Sequence, residues 1–207
     1  MAFFPFFVEL QGQDGLIVGG GQTALGKARH LVAYGPRLTV IAPQVLPELE
    51  ALDGVRTEHR AFARADLRHP FAFVITATDD VAVNHTIAQL CREQRIPVNV
   101  VDDPDACSFL FPALVRDGPL SIGISTGGAS PTVAVRLKEE ISAMLPRQLG
   151  DILYALAGLR ETVKRQVPCP SRRRAILKAL SAESLALGRP LTAQEAGRIM
   201  EQRKEGT

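Results

Sequence analysis

The 207-residue sequence predicts an α/β protein: a parallel sheet in its first half, then a hairpin and a helix, then a small helical region at its C-terminal end. Three observations carry that prediction. The run Leu16-Ile-Val-Gly-Gly-Gly-Gln-Thr-Ala-Leu-Gly-Lys-Ala-Arg29 is an apolar strand that ends in a glycine turn and opens straight into a helix. Strand-length apolar runs alternate with helix-patterned runs up to residue 101, the rhythm of a doubly wound sheet. Beyond residue 101 the rhythm changes to two strand-like runs with only a turn between them, followed by helix-patterned sequence broken at prolines.

Taken in order, Phe3–Val8 is short, is interrupted by Pro5 and has no basic residue before it, so it reads as part of a strand and not as a leader peptide. Phe6–Leu10 and Gly15–Val18 flank a segment in which Asp14-Gly15 supplies turn chemistry, which predicts an opening strand paired beside the first strand of the sheet. In the glycine loop, Gly19 makes the tight turn, Gly21 lets backbone approach a ligand and Ala24 permits close helix-on-strand packing, giving G-x-G-x-x-A. That is a Rossmann-like dinucleotide fingerprint, whose helix points free N–H groups and its positive dipole end at phosphate. A plain structural turn is the alternative reading of the glycines. The chain continues with a strand at Leu38–Ala42, a helix or turn near Leu46–Leu52, and a strand near Val55–Ala61. Phe71–Ala77 is apolar throughout, as expected of a central parallel strand covered on both faces. A helix over Val81–Gln94 and a strand over Ile96–Val101 follow.

Ser108–Val115 and Leu120–Ser125 are the two strand-like runs, separated by Arg116–Pro119. Antiparallel strands leaving a parallel sheet make a natural dimerisation element, because open edges must be covered. Ser130 is a good helix N-cap and Pro131 a good first helical residue. Helices are expected at Thr132–Leu145, Arg147–Gln166, Ser171–Leu187 and Thr192–Lys204. These elements divide the chain into a Rossmann domain over 1–113, a dimerisation region over 114–145 and a C-terminal helical domain over 146–207.

Composition excludes several classes. An apolar fraction of 46% with 22% charged residues is that of an ordinary globular protein with a substantial core. No run approaches the roughly 18 apolar residues of a membrane helix. Cys91, Cys107 and Cys169 are odd in number, widely spaced and without C-x-x-C, which suits a reducing cytoplasm and offers neither a disulfide framework nor a zinc site. Residues 1–130 carry 10 Lys/Arg and 14 Asp/Glu, a balance of −4, whereas residues 131–207 carry 14 and 8, a balance of +6. The C-terminal part therefore favours an anion, or is simply a mixed solvated surface.

Candidate functional residues gather where the strands end. An acidic residue after the second strand commonly grips the ribose of NAD, but here the sequence is Ala42-Pro43-Gln44. Gln44 can bond a hydroxyl without charge, and no Arg stands at once beside it to take a 2′-phosphate, which favours NAD over NADP. Thr78 and Asp79 end the fourth strand and are candidate cofactor neighbours; Asp79 or Asp80 would equally serve as the N-cap of the next helix. Asn99-Val-Val-Asp-Asp103, with Val100 in it, ends the fifth strand on the same edge, and Asp102 would stand near a bound nicotinamide, where a carboxylate can accept a proton. A turn aspartate ahead of Pro104 is the other reading of Asp102. Neither Tyr34 nor Tyr154 heads a Tyr-x-x-x-Lys dyad, and the four histidines lack ligand spacing. Arg172-Arg-Arg174 lacks the aromatic interleaving of a nucleic-acid surface, so neither nucleic acid nor membrane is expected as a partner.

With these residues in place, the sequence resembles the precorrin-2 dehydrogenase family, which comprises the siroheme-synthase N-terminal module and its free-standing relatives. The matching segments are Pro5-Phe-Phe-Val-Glu-Leu10, Leu16-Ile-Val-Gly-Gly-Gly21 with Lys27-Ala-Arg29, Ala77-Thr-Asp-Asp80, Asn99-Val-Val-Asp102, Ser108-Phe, Pro112-Ala, Gly118-Pro-Leu and Ile124-Ser-Thr-Gly-Gly-Ala-Ser-Pro131. They cover about residues 5–165 in order; the last forty residues match less. The resemblance implies NAD-dependent oxidation of precorrin-2 to sirohydrochlorin, followed in some members by insertion of Fe²⁺ (or Co²⁺) as a chelation substrate. It also implies a homodimer formed through the hairpin region. Asp102 falls on the family's functional aspartate. Gly21, Gln22 and Thr23 match its cofactor-contacting loop positions and Pro43 and Gln44 those after the second strand; Gly19, Gly20, Thr78, Asp79 and Val100 are further candidate cofactor contacts, and Ser125, Thr126, Gly127, Gly128, Arg136 and Lys138 are candidates to line the substrate. Arg160, Lys164 and Arg165 join them as basic groups that could steer a substrate rich in carboxylates. A catalytically silent NAD sensor built as a dimer is the competing reading.

Overall fold

The computed structural model describes residues 3–203, so the last residue of the expected final helix, Lys204, lies outside the described residues. The chain forms two compact units, Met1–Phe111 and Pro112–Thr207.

The first unit is a five-stranded parallel sheet. Its strands are β1 (Asp14–Val18), β2 (Arg37–Ala42), β3 (Val55–His59), β4 (Phe73–Thr76) and β5 (Val98–Val100), in the order β3-β2-β1-β4-β5. The helices are α1 (Gln22–Val32), α2 (Pro47–Glu50) and α3 (Val81–Gln94), the last with the bounds the sequence predicts. Order reverses at β1, whose register runs Val18 to Ile41 on one side and Val18 to Thr76 on the other. A doubly wound sheet binds its ligand at the carboxyl end of the strands beside such a switch point. Alternate residues of the strands face opposite layers. Ile17, Val40 and Ile75 pack with Ala24, Leu25, Ala28 and Leu31 of α1, while Leu16, Val74 and Val98 pack with Ile87, Ala88 and Cys91 of α3. Ala24 is fully buried, which is the close helix-on-strand approach the fingerprint requires.

Two expectations fail here, each for a structural reason. Residues 6–10 do not form a strand beside β1, and Phe4, Phe6, Phe7 and Val8 are exposed. Both edges of β1 are already taken by β2 and β4, which leaves no ladder for the segment to join. The strand expected from Ser108 begins only at Ala113. The segment from Ser108 instead crosses β5: the Ser108 and Phe109 amides donate to the Val98 carbonyl at 2.8 and 3.5 Å, and the Ser108 hydroxyl accepts from the Val98 amide at 2.7 Å.

At the amino end of the central strands, Arg37 Nε lies 2.6 Å from one Asp14 oxygen and His69 Nε2 lies 2.9 Å from the other. The Arg37 hydrogen bond, with that of His69, brings the Asp14 carboxyl down to about 2. Its folded value lies below the unfolded value of about 3.9, so the stabilisation is complete above that pH and is lost as pH falls through about 2. Thermal melts between pH 5 and 2 should therefore fall more steeply for the native chain than for Asp14→Asn.

The second unit opens with an antiparallel hairpin, β6 (Ala113–Asp117) and β7 (Leu120–Ile124), turned by Gly118-Pro119. Helices α4 (Pro131–Met144), α5 (Leu149–Gln166), α6 (Pro170–Leu187) and α7 (Ala193–Gln202) follow. Ser130 caps α4 through the Val133 amide at 3.3 Å, as the sequence predicts. The Asp117 carboxylate accepts the Gly150 amide at 2.9 Å and ties α5 to the hairpin turn. Val163, Val167, Ile176, Leu180, Ala196 and Met200 form the core of the last three helices. Among the described residues no helix is long and apolar enough to cross a membrane.

Candidate active site

The glycine loop is shaped by what it touches. Gly19 has φ +125, and a Cβ there would stand 2.2 Å from the Ala77 carbonyl oxygen at the end of β4. A Cβ on Gly20 would stand 2.0 Å from the Gln44 carbonyl oxygen beyond β2, and the Gly20 oxygen accepts the Leu46 amide at 3.0 Å. The loop is thus pressed against the ends of both neighbouring strands. Gly21 differs, because an added Cβ would meet nothing within 4 Å. It is the N-cap of α1, makes no side-chain cap, and no acidic residue occupies the first turn. The leading amides of α1 belong to the exposed residues Gln22 and Thr23, with the positive end of the helix dipole behind them. An uncapped, acid-free helix start behind a bare glycine fits a pyrophosphate.

The other candidates in the first unit stand on the same carboxyl edge. Pro43 and Gln44 are exposed just beyond β2. Thr78 is half-buried and committed to its own loop: its hydroxyl lies 2.8 Å from Asn84 Oδ1 and 3.1 Å from the Asp80 carbonyl oxygen. Between the two possible caps of α3 the structure selects Asp80, which accepts the Ala82 and Val83 amides at 2.9 and 3.1 Å, and leaves Asp79 exposed before it. Val100 is buried in the core layer shared with α3, so it offers a ligand its backbone only.

Asp102 is exposed in the turn after β5 and has φ +60, a left-handed conformation that only a few per cent of non-glycine residues adopt. The turn is fastened on both sides of it. The Cys107 thiol lies 3.2 Å from the Val100 carbonyl oxygen and also 3.2 Å from that of Asp103, and its sulfur accepts the Val100 amide at 3.1 Å. His85 Nε2 is 2.7 Å from one Asp103 oxygen while the other accepts the Ala106 amide. Hydrogen bonding from His85 holds the Asp103 carboxyl below its usual range, and burial pushes the Cys107 thiol up, so that it is neutral near pH 7.

In the second unit, Ser125, Thr126, Gly127 and Gly128 form the turn that leads into α4. The Thr126 hydroxyl is 3.1 Å from both the amide and the carbonyl of Ser130, and Ser125 Oγ accepts the Gly127 amide at 3.2 Å. Arg136 lies on the solvent side of α4, paired with Glu140 at 2.8 Å, and Lys138 is half-buried. Arg160 and Arg165 are exposed on α5, and Lys164 pairs with Glu161 at 2.6 Å. Among the described residues no group of three or more His, Cys, Asp or Glu is placed to hold a metal ion.

Residues 6–113 match the family model described as putative NAD(P)-binding. The chain belongs to that family. Residues 117–144 match a second model, described as sirohaem biosynthesis protein central. The siroheme synthase of Ectopseudomonas mendocina is 38% identical over 213 aligned positions that span 100% of this chain and 45% of that protein. The siroheme synthase of Methylococcus capsulatus is 38% identical over 97% of this chain and 43% of its own length. The chain thus spans less than half the length of these curated relatives. The solved structure of SirC, a precorrin-2 dehydrogenase, superposes with a TM-score of 0.77 at 25% identity and covers 99% of this chain and 100% of that one.

Sequence reasoning missed three residues of the candidate site. Asn84 fastens the Thr78 loop, Cys107 fastens the Asp102 turn, and Lys27 lies with its ammonium 4.1 Å from the centroid of the Phe111 ring. None carries a local signal, because each acts on a segment that only tertiary folding brings to it.

Proposed function

We propose that this chain oxidises precorrin-2 to sirohydrochlorin with NAD, as a step of siroheme synthesis. The observation that carries the reading is the pairing of an uncapped glycine-loop helix with an exposed carboxylate, Asp102, on one edge of the sheet. Similarity to SirC over the whole chain supports the same chemistry. The oxidation removes a hydride and a proton from a reduced tetrapyrrole. The nicotinamide, when bound, takes the hydride. The protein's own part is to bind the pyrophosphate on the amides of Gln22 and Thr23, to let Pro43 and Gln44 meet the ribose, and to accept the proton on an Asp102 carboxylate oxygen. Gln44 brings no charge to the ribose, and NAD is favoured over NADP because no Arg adjoins it. The substrate's carboxylates are met by the +6 charge of residues 131–207, with the turn Ser125–Gly128, Arg136 and Lys138 as lining groups. Insertion of Fe²⁺ or Co²⁺ into sirohydrochlorin is a second activity in this reading, with the metal as substrate.

The working form is a homodimer, and the protein is cytoplasmic. Hairpin β6–β7 is a two-stranded sheet with an open edge on each strand, and Val133, Val135 and Leu137 are exposed on α4 beside it. Two strands with apolar neighbours are marginal unless something covers them. Residues 114–145 therefore serve as the dimerisation region, between the cofactor domain over 1–113 and the helical domain over 146–207.

Purified protein given precorrin-2 and NAD should develop the sirohydrochlorin spectrum with one NADH per turnover, and should sediment at twice the chain mass. NAD binding with no tetrapyrrole turnover would instead favour a sensor.

A further inference from the structure

We propose that the Phe-rich segment over residues 3–8 is a dimer arm: in one copy it adds as an outer strand to hairpin β6–β7 of a second copy. The inference rests on the homodimer reading and names the segment that covers the hairpin.

The segment runs Phe3-Phe-Pro-Phe-Phe-Val8. Phe4, Phe6, Phe7 and Val8 are between 71% and 83% exposed, so their own chain covers little of them. They project from a fixed point. Leu10 packs with the α1 layer of the core, the Gly12 amide donates to the Gly35 carbonyl at 2.8 Å, and the Gln13 amide donates to that of Leu10 at 3.0 Å. Before Leu10 the described backbone forms neither helix nor turn. Phe4 and Phe6, two positions apart, bring their ring centroids to 5.0 Å, as side chains on one side of an extended chain do. Aromatic and β-branched residues favour strands, yet β1 has no edge free for this one.

Hairpin β6–β7 has the complementary need. It is a two-stranded sheet with one unpaired edge on each strand, and α4, which packs on it, leaves Val133, Val135 and Leu137 exposed. Strand addition satisfies such an edge with main-chain bonds while apolar side chains settle on their neighbours. Pro5 sets the register. It has no N–H, so its position faces away from the receiving edge, and the residues that alternate with it, Phe4, Phe6 and Val8, supply the pairing amides. Area selects a second copy as the occupant. A buried aromatic side chain covers roughly 150–250 Å², so Phe4, Phe6, Phe7 and Val8 together offer about 500 Å² per arm. Exchanged about a two-fold axis, two arms and the surfaces they cover bury about 2,000 Å², the scale of a stable homodimer, whereas one arm on an unrelated protein buries about half of that. Charge argues against a lipid surface, because Glu9 follows the arm and residues 1–130 carry a balance of −4, which anionic headgroups repel.

The variant Phe4→Ser/Phe6→Ser/Phe7→Ser removes the apolar area without touching the sheet. Sedimentation equilibrium should show native protein as a dimer and the triple variant with a dimer Kd raised at least about a hundredfold, the effect of losing several buried apolar side chains, while its far-UV circular dichroism stays native. A second measurement keeps the native fold: with p-benzoylphenylalanine in place of Phe6, irradiation should give a species of twice the chain mass whose cross-linked peptide falls within residues 113–137. A triple variant that dimerises as the native chain does, or cross-links confined to one chain or to another segment, overturns the arm and leaves the homodimer standing. Native protein that sediments at the mass of one chain overturns the homodimer reading and the arm with it, and its flotation with phosphatidylcholine–phosphatidylserine vesicles would give the segment to a lipid surface instead.

Discussion

Asp102→Asn should lower kcat for precorrin-2 oxidation by about 10²- to 10⁴-fold, the usual contribution of a positioned proton acceptor, with NAD affinity within about twofold of the native value. The choice of Asn follows from the backbone. Asp102 has φ +60, and Asn is among the few residues that tolerate this region, so the turn keeps its shape while the carboxylate is lost. Asp102→Ala removes the same group but also places a residue ill-suited to that conformation at the end of β5, at a cost of about 1 kcal/mol. The two variants should share the kinetic defect and differ modestly in melting temperature. Asp103→Asn is the control, because Asp103 belongs to the His85 pair and to the cap of the turn Pro104–Ala106. Its effect should fall on stability and leave kcat within a few-fold. Stopped-flow measurement of NADH formation, alongside NAD titrations of each variant, checks this. Equal turnover by native protein and Asp102→Asn would remove the carboxylate from the reaction.

Much of this arrangement is legible before any coordinates, and the remainder is not, for a consistent reason. Periodicity and capping chemistry are local, so the bounds of α3, the Ser130 cap and the β1–α1 junction can be read from neighbouring residues. The expected strand before β1 fails because an apolar run carries no information about whether a sheet edge is free, and β2 and β4 had filled both. Asp79 and Asp80 are interchangeable in sequence, and only the path of the chain into α3 gives the cap to Asp80. Lys27 is one helical residue among others until the ring of Phe111, more than 70 positions away, packs against its ammonium. Within the glycine loop the fingerprint locates the turn but not the division of labour among its three glycines.

That division can be measured. Gly19→Ala should destabilise the first unit by about 3 to 5 kcal/mol, because two separate penalties act at one position. The residue sits at φ +125, outside the regions open to alanine, and its Cβ would meet the Ala77 carbonyl oxygen at 2.2 Å and carbon at 2.6 Å. Both obstacles are backbone at the end of β4, which is paired to β1, so relief requires prising the two central strands apart. A loss of about 10 °C in melting temperature is the corresponding readout for a chain of this length. Gly21→Ala should behave oppositely. Its φ of −88 and ψ of −170 suit any residue, and its Cβ would meet nothing within 4 Å. The stability cost is that of alanine for glycine at an N-cap, under about 1 kcal/mol. In the proposed cofactor site that empty space is where phosphate oxygens approach the α1 amides, so NAD affinity should fall by at least about tenfold, the equivalent of roughly 1.4 kcal/mol. A loop that served only as a structural turn would give the reverse result for Gly21→Ala: native NAD affinity with an unchanged fold. The pair of variants thus separates the glycine that joins the strands from the glycine that leaves room for the cofactor.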